Sequence, residues 1–185
     1  MARISLILEY VVSTIRIRLI PQVELQGKKL VDIRGQIKYS KGSKVILHDK
    51  VGMRKGSYLY VRKGGIVEIG ERTTFNHNCL ITARKSITIG KRSIFGPGVM
   101  IYDHDHDYKT DMQEYRGEDV SIGGNCWIGA NSIILKGVHL GDNCVVAAGT
   151  ILRGDYPSNS LIYNSCSTVT KQIQGQFENE KKQTI

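Results

Sequence analysis

Two histidines and three aspartates alternate at Asp103, His104, Asp105, His106 and Asp107, a dense cluster of groups that can hold or move a proton. Imidazole titrates near neutrality, so a neutral histidine can take a proton from a hydroxyl at cellular pH, typically for a rate gain of about 10²–10⁴. A neighbouring carboxylate or main-chain carbonyl can hold the ring and stabilise the imidazolium that forms. In an extended segment, alternation places His104 and His106 on one face and the three aspartates on the other. The same residue types at close spacing also suit a metal ion, and an acidic solvated loop would carry them with no function at all. The element that bears the cluster must separate these readings.

That element is a break in a repeat. An aliphatic residue recurs every eighteen residues at Ile33, Val51 and Ile69, then at Ile89 after a two-residue slip, and again at Ile122 and Leu140. Glycine follows all but the first, at Gly52, Gly70, Gly90, Gly123 and Gly141. The finer period is six, seen in Ile122, Ile128, Ile134, Leu140, Val146 and Leu152. Hexads of this kind predict a parallel β-helix, each hexad forming one short side of a coil and each coil stacking on the last. The first hexad residue points into the closed prism, and the glycine after it suits a tight turn or a close approach between strands. The fifth falls at a cramped corner. Thr73, Ser93, Val99, Ser132, Val138 and Thr150 fit that slot, whereas Lys55 and Lys85 do not. Ile89 and Ile122 are 33 residues apart, more than one coil requires, so a loop at about 103–121 is extruded from the prism. A loop held by a rigid scaffold is a favoured place for chemistry.

The four cysteines, Cys79, Cys126, Cys144 and Cys166, fall in the corner slot, where a thiol behaves as a compact hydrophobe. No CxxC or Cys/His clustering marks a disulfide framework or zinc site. Reduced thiols and the lack of a secretory signal predict a cytoplasmic protein. A chain of 185 residues predicts one domain, divided into a lead-in at 1–28, a β-helix at 29–172 and a polar tail at 173–185. So thin a core favours self-association. The net charge of +9, with much of the basic surplus between residues 28 and 92, favours anionic partners. No nucleic-acid-binding signature accompanies it, so a phosphorylated small molecule or an anionic membrane face fits better. Ile4, Leu8, Val11, Ile15 and Leu19 follow the rhythm of an amphipathic helix closed by Pro21, too short and charged to span a bilayer. It is expected to cap the open end of the prism. Membrane contact through Arg3, Arg16 and Arg18 is the less favoured alternative.

The stretch SIGGNCWIGANSIILKGVHLGDNCVVAAGTIL, with the histidine-bearing loop before it, resembles the hexapeptide-repeat acyltransferases, in particular their galactoside, maltose and polysaccharide O-acetyltransferase branch. The resemblance runs over about residues 30–172 and is strongest from Tyr102 to Pro157. It implies a left-handed parallel β-helix that assembles as a homotrimer, with one site in each cleft between protomers. It also implies acetyl-CoA as donor, no metal, and a sugar hydroxyl as acceptor, free or nucleotide- or lipid-linked, for a surface polysaccharide. By motif, His104 matches the catalytic base, with His106 as its alternate. Asn76 matches a position that contacts the acceptor, and Asp103 and Asp105 are placed with it. Trp127 matches the aromatic beside the thioester. Gly129, Ala130, Ala148 and Gly149 match the small residues along the pantetheine arm, and Arg153 and Lys171 supply charge to the nucleotide phosphates. An acidic acceptor-binding residue of the family falls near Ala83 or Arg84 here, which implies a changed acceptor. The family's glycine-asparagine-proline turn is replaced by Asn164-Ser165-Cys166.

Two other readings remain open in the sequence. A metal-dependent hydratase of the γ-carbonic-anhydrase kind would draw on His77, His104 and His106, though their spacing departs from that pattern. A non-catalytic β-helix acting as an assembly module would account for the altered cofactor end.

Overall fold

Short apolar strands separated by tight turns cannot bury their inward side chains alone, so they do it by stacking on copies of themselves. The computed structural model describes residues 2–27 and 30–165, with the side chains of the N-terminal helix described from Leu8 onward. Cys166, Lys171 and the tail from 173 lie outside the described residues. The strands stack into three parallel sheets of seven, seven and six strands, which form the sides of a triangular parallel β-helix. The first sheet begins at Val23–Leu25, earlier than the expected boundary at residue 29, and the second begins at Asp32–Ile33. The third begins at Gln36–Tyr39.

The eighteen-residue period holds only late in the chain. Inward residues of the first sheet stack as Leu25, Leu47, Ile69, Ile89, Ile122, Leu140 and Tyr156. Successive coils therefore take 22, 22, 20, 33, 18 and 16 residues. Ile33 does not belong to this column, since it pairs with Met53 in the second sheet, and Val51 precedes the strand Gly52–Met53. The cause is strand length. Early sides such as Lys44–Leu47, Tyr58–Val61 and Leu80–Ala83 are four residues long, while Trp127–Ile128 and Ile133–Ile134 are two. Two added residues keep the in-out alternation and change only the count.

The corner slots hold what the hexad pattern predicts. Thr73, Ser93, Cys126 and Cys144 stack at one corner, each donating to a main-chain carbonyl of the next coil: Gly90 O (2.7 Å), Gly123 O (2.9 Å), Gly141 O (3.2 Å) and Pro157 O (3.2 Å). Cys79, Cys126 and Cys144 are free and buried, and burial raises the thiols of Cys79 and Cys126, so these sulfurs are poor nucleophiles. The hexad glycines serve coil-to-coil approach: a Cβ on Gly123 would lie 2.6 Å from Asp142 N. At the corner between the first and second sheets the left-handed turn residues are instead Lys50, Arg72 and Arg92 in early coils and Asn125, Asn143 and Asn159 in later ones, while other corners use glycines such as Gly42 and Gly64 and the asparagines Asn78 and Asn131.

The helix Ala2–Arg18 closes the open end, but with its polar side inward. Ser13 Oγ accepts from Ile33 N (2.7 Å) and Thr14 Oγ1 from Val31 N (3.1 Å), while Arg16 donates to Ile33 O. These groups pair the strand edge that stacking leaves open. Ser13, Thr14 and Ile17 are buried, whereas Leu8, Val11, Ile15 and Leu19, expected to face the prism, are exposed. Edge amides need hydrogen-bond partners more than they need apolar cover, and this turns the helix over. No helix among the described residues is long and apolar enough to cross a membrane.

Candidate active site

The extruded segment is a β-hairpin, His104–Asp107 paired antiparallel with Asp111–Gly117, leaving the prism at the corner between the third and first sheets. Where a chain leaves a stacked coil, the amides of the coil before it lose the carbonyls that would have paired them. Asp103 repairs that loss. Its carboxylate accepts Arg84 N with both oxygens (2.9 and 3.0 Å) and Lys85 N (2.7 Å), and its main-chain oxygen accepts Glu118 N (2.8 Å) as the hairpin returns. Asp103 is fully buried, so it cannot contact an acceptor as expected.

The same carboxylate holds His104. Nδ1 of His104 lies 2.7 Å from Asp103 Oδ1 and donates to it, because a carboxylate can only accept. In the neutral ring this leaves Nε2 with its lone pair free. The His104 side chain is 11% exposed and packs edge-on against Tyr115, ring centres 5.5 Å apart. His106 shares that face, its ring 4.4 Å from Tyr115, but it is exposed and its Nδ1 is engaged by Met112 O at 2.6 Å. Of the two imidazoles, only His104 has a buried carboxylate behind it. Asp107 staples the hairpin through Arg116 Nε at 2.6 Å. Hydrogen bonds from Thr110 and Arg116 hold its carboxyl below the usual carboxylate range, against the opposing effect of burial. Asp105 is exposed and in register with Arg116.

The other expected site residues lie elsewhere on the prism. Trp127 stands on the second sheet, 58% exposed, in an outward column between Ile94 and Val145. In a triangular prism, that side faces away from the corner where His104 stands. Asn76 ends the second-sheet strand Thr74–Phe75 and lines a cavity of about 220 Å³ with Tyr10, Arg54 and Ile94. One protomer does not bring Asn76 to His104. Ala130 is half-buried, and Ala148 and Gly149 are exposed beside the Trp127 side, with open space around Gly149. Gly129, expected along the pantetheine arm, is buried beneath the next coil, where a Cβ would sit 2.4 Å from Ala148 N. Arg153 is exposed and closes a third-sheet strand, on the His104 corner rather than beside Trp127. His77 follows the second sheet, so His77, His104 and His106 do not converge in this chain. In the sequence Arg84 marks only a place where an acidic residue is replaced, and Tyr115 carries no signal, since neither belongs to a hexad and their meeting depends on how the hairpin folds back.

The model of the hexapeptide repeat of succinyl-transferase matches residues 119–153. The chain is 32% identical over 119 residues to the galactoside O-acetyltransferase of Escherichia coli K12, covering 62% of this chain and 58% of that one. A hexapeptide-repeat acetyltransferase of Vibrio cholerae, solved with acetyl-coenzyme A, is 30% identical over 53% of this chain and 55% of its own, with a TM-score of 0.51. This chain is similar to the hexapeptide-repeat acyltransferases. An N-acyltransferase of Bacillus cereus, solved with dTDP and 3-hydroxybutyryl-CoA, shares the fold over 77% of this chain and 79% of its own, at 17% identity and a TM-score of 0.66. The chain spans a little over half the length of the curated relatives it matches.

Proposed function

We propose that this protein is an acetyl-CoA-dependent O-acetyltransferase that acts on a sugar hydroxyl in the making of a surface polysaccharide, such as capsule, O-antigen or exopolysaccharide. The observation that carries the reading is the imidazole of His104, anchored at Nδ1 by the buried Asp103 carboxylate and open at Nε2. His104 takes the proton of the acceptor hydroxyl as that oxygen bonds to the acetyl carbonyl carbon and the carbon–sulfur bond breaks. The imidazolium then returns the proton to the departing sulfur, and the ring ends neutral. Asp103 keeps the tautomer and faces the positive ring. Transfer is direct within a ternary complex, in keeping with the buried thiols of Cys79 and Cys126, which burial raises.

The separation of the two groups of residues supports a homotrimer. Trp127, Ala148 and Gly149 stand on one side of the prism and His104 on another, so a second copy must bring an apolar wall for the donor to the base. Trp127 with exposed Ile94 and Leu161 offers such a wall, and Ala130, Ala148 and Gly149 beside it leave room for an extended arm. Arg153 then meets the donor from the His104 side, and the reaction takes place in the cytoplasm.

Purified protein incubated with acetyl-CoA and a panel of monosaccharides should release CoA only with an acceptor. His104→Ala should lower that release by at least about 10²-fold while CoA binding, followed by calorimetry, persists. A folded protein that binds no CoA at millimolar ligand overturns the reading in favour of an assembly module. Full activity in the variant moves the base to His106 or elsewhere. Stoichiometric zinc or iron, lost together with activity in that variant, would show a metalloenzyme instead.

A further inference from the structure

Arg84 follows the strand Leu80–Ala83, one coil before His104. Thr82 pairs with Tyr102 in the third sheet, which sets Arg84 beside His104 in adjacent coils, a separation of about 4.8 Å along the stack. The guanidinium carbon of Arg84 lies 3.3 Å from the centre of the Tyr115 ring, the same ring that His104 meets edge-on. Among the described residues, Arg84 has no ion pair, and its Nε is enclosed by protein without a hydrogen-bond partner. The neighbouring carboxylates are committed elsewhere: Asp103 to main-chain amides and His104, Asp107 to Arg116, Glu118 to Lys136 and Asp119 to Lys85.

An enclosed donor with no acceptor is costly, and a cation without a counter-ion adds to that cost. Such an arrangement beside a general base is relieved when an anion arrives. Stacking on Tyr115 covers one face of the guanidinium and fixes its plane, so its donors are pre-organised for a two-oxygen group.

We propose that Arg84 binds an anionic group, carboxylate or phosphate, carried by the acceptor close to the hydroxyl that His104 deprotonates. The proposal rests on the acyltransfer reading and narrows its acceptor to acidic or phosphorylated sugars. A neutral sugar leaves Arg84 unpaired, and a site built around an unpaired group rejects ligands that lack its partner.

Three probes test this by calorimetry on the CoA-loaded full chain: methyl β-glucuronide, glucose 1-phosphate and methyl β-glucoside. One of the two anionic probes should bind at least about tenfold more tightly than the neutral one, and which one does so distinguishes carboxylate from phosphate. Arg84→Gln should remove the preference, and Arg84→Lys should keep part of it, with thermal melting checking that both variants fold. CoA binding should persist in both. Equal or absent binding of the anionic and neutral probes overturns the proposal, as does a preference that survives Arg84→Gln. Loss of CoA binding by the unaltered protein would instead strike the acyltransfer reading.

Discussion

The coils before the hairpin and those after it solve the same stacking problem in different ways. Before it, coils run 22, 22 and 20 residues, many sides are four-residue strands, and Lys50, Arg72 and Arg92 make the left-handed turns between the first and second sheets. After it, coils shrink to 18 and 16 residues, most sides are two-residue strands, and Asn125, Asn143 and Asn159 make the turns at that same corner. Those asparagines also bond to one another, Asn125 Nδ2 to Asn143 Oδ1 at 3.1 Å and Asn143 Nδ2 to Asn159 Oδ1 at 3.2 Å. The late coils are thus a regular column in which each residue type answers one geometric need. The early coils tolerate variety and hold, at their last corner, Arg84 and the Asp103–His104 pair. In the proposed reaction, the regular part offers a surface for the donor and the irregular part carries the base.

The comparison can be tested most severely at its boundary. Asp103→Asn should lower kcat by at least about 10²-fold with KM for the sugar little changed, because an amide facing Nδ1 no longer selects the tautomer with Nε2 free. A loss confined to melting temperature, with kcat intact in the folded fraction, would make Asp103 a mere corner staple. Next in size are the glycines. Gly123→Ala should cost about 1–3 kcal/mol, since its Cβ would press within 2.6 Å of Asp142 N, whereas at Gly52 the nearest atom would be Thr74 Cγ2 at 3.3 Å. Denaturant midpoints that fall equally for Gly52→Ala and Gly123→Ala would show that the closer approach at Gly123 carries no extra cost.

Cys126→Ser is expected to change stability by less than about 1 kcal/mol and to leave acetyl transfer untouched. If the thiol serves there only as a compact hydrophobe, a hydroxyl in its place is costly. The structure shows Ser93 in the same column donating to Gly123 O, so a serine at 126 has Gly141 O waiting for it. A melting temperature lowered by many degrees would restore the first view. The smallest effect should come from making an early turn like a late one. Arg92→Asn should raise stability by roughly 0.5 kcal/mol, because asparagine adopts the left-handed conformation at lower cost than arginine. A lowered urea midpoint would mean that the bond from Arg92 Nε to Asn125 Oδ1 outweighs the backbone gain.

Much of the late half was legible residue by residue. Ile122, Ile128, Ile134, Leu140, Val146 and Leu152 all point inward as the hexad requires, and Cys126 and Cys144 occupy the corner. The early register was not, because a side lengthened from two residues to four still alternates and still reads as β. Ile33 and Val51 therefore matched an eighteen-residue count by coincidence while stacking on other partners. At the site, the alternation of histidine and aspartate correctly put both imidazoles against one ring, Tyr115. It could not reveal that Asp103 turns back into the prism, since that depends on two amides, Arg84 N and Lys85 N, left open one coil earlier. The helix misled for a similar reason. Its apolar stripe is plain in the sequence, but the demand of Val31 N and Ile33 N for acceptors brings Ser13 and Thr14 inward instead.

By itself, the order of residues determined that the later coils wind in six-residue sides, where the corners are small, and where the winding is interrupted by a pair of histidines. These are local matters of side-chain size and alternation, repeated often enough to be read. The coil lengths of the early half, the pairing of His104 with a buried carboxylate, the meeting of Arg84 with Tyr115 and the outward turn of the helix were decided only in three dimensions. The first follows from strand length, and the others answer a hydrogen-bond donor or a charge left open by a strand that is distant in the chain and adjacent in the stack.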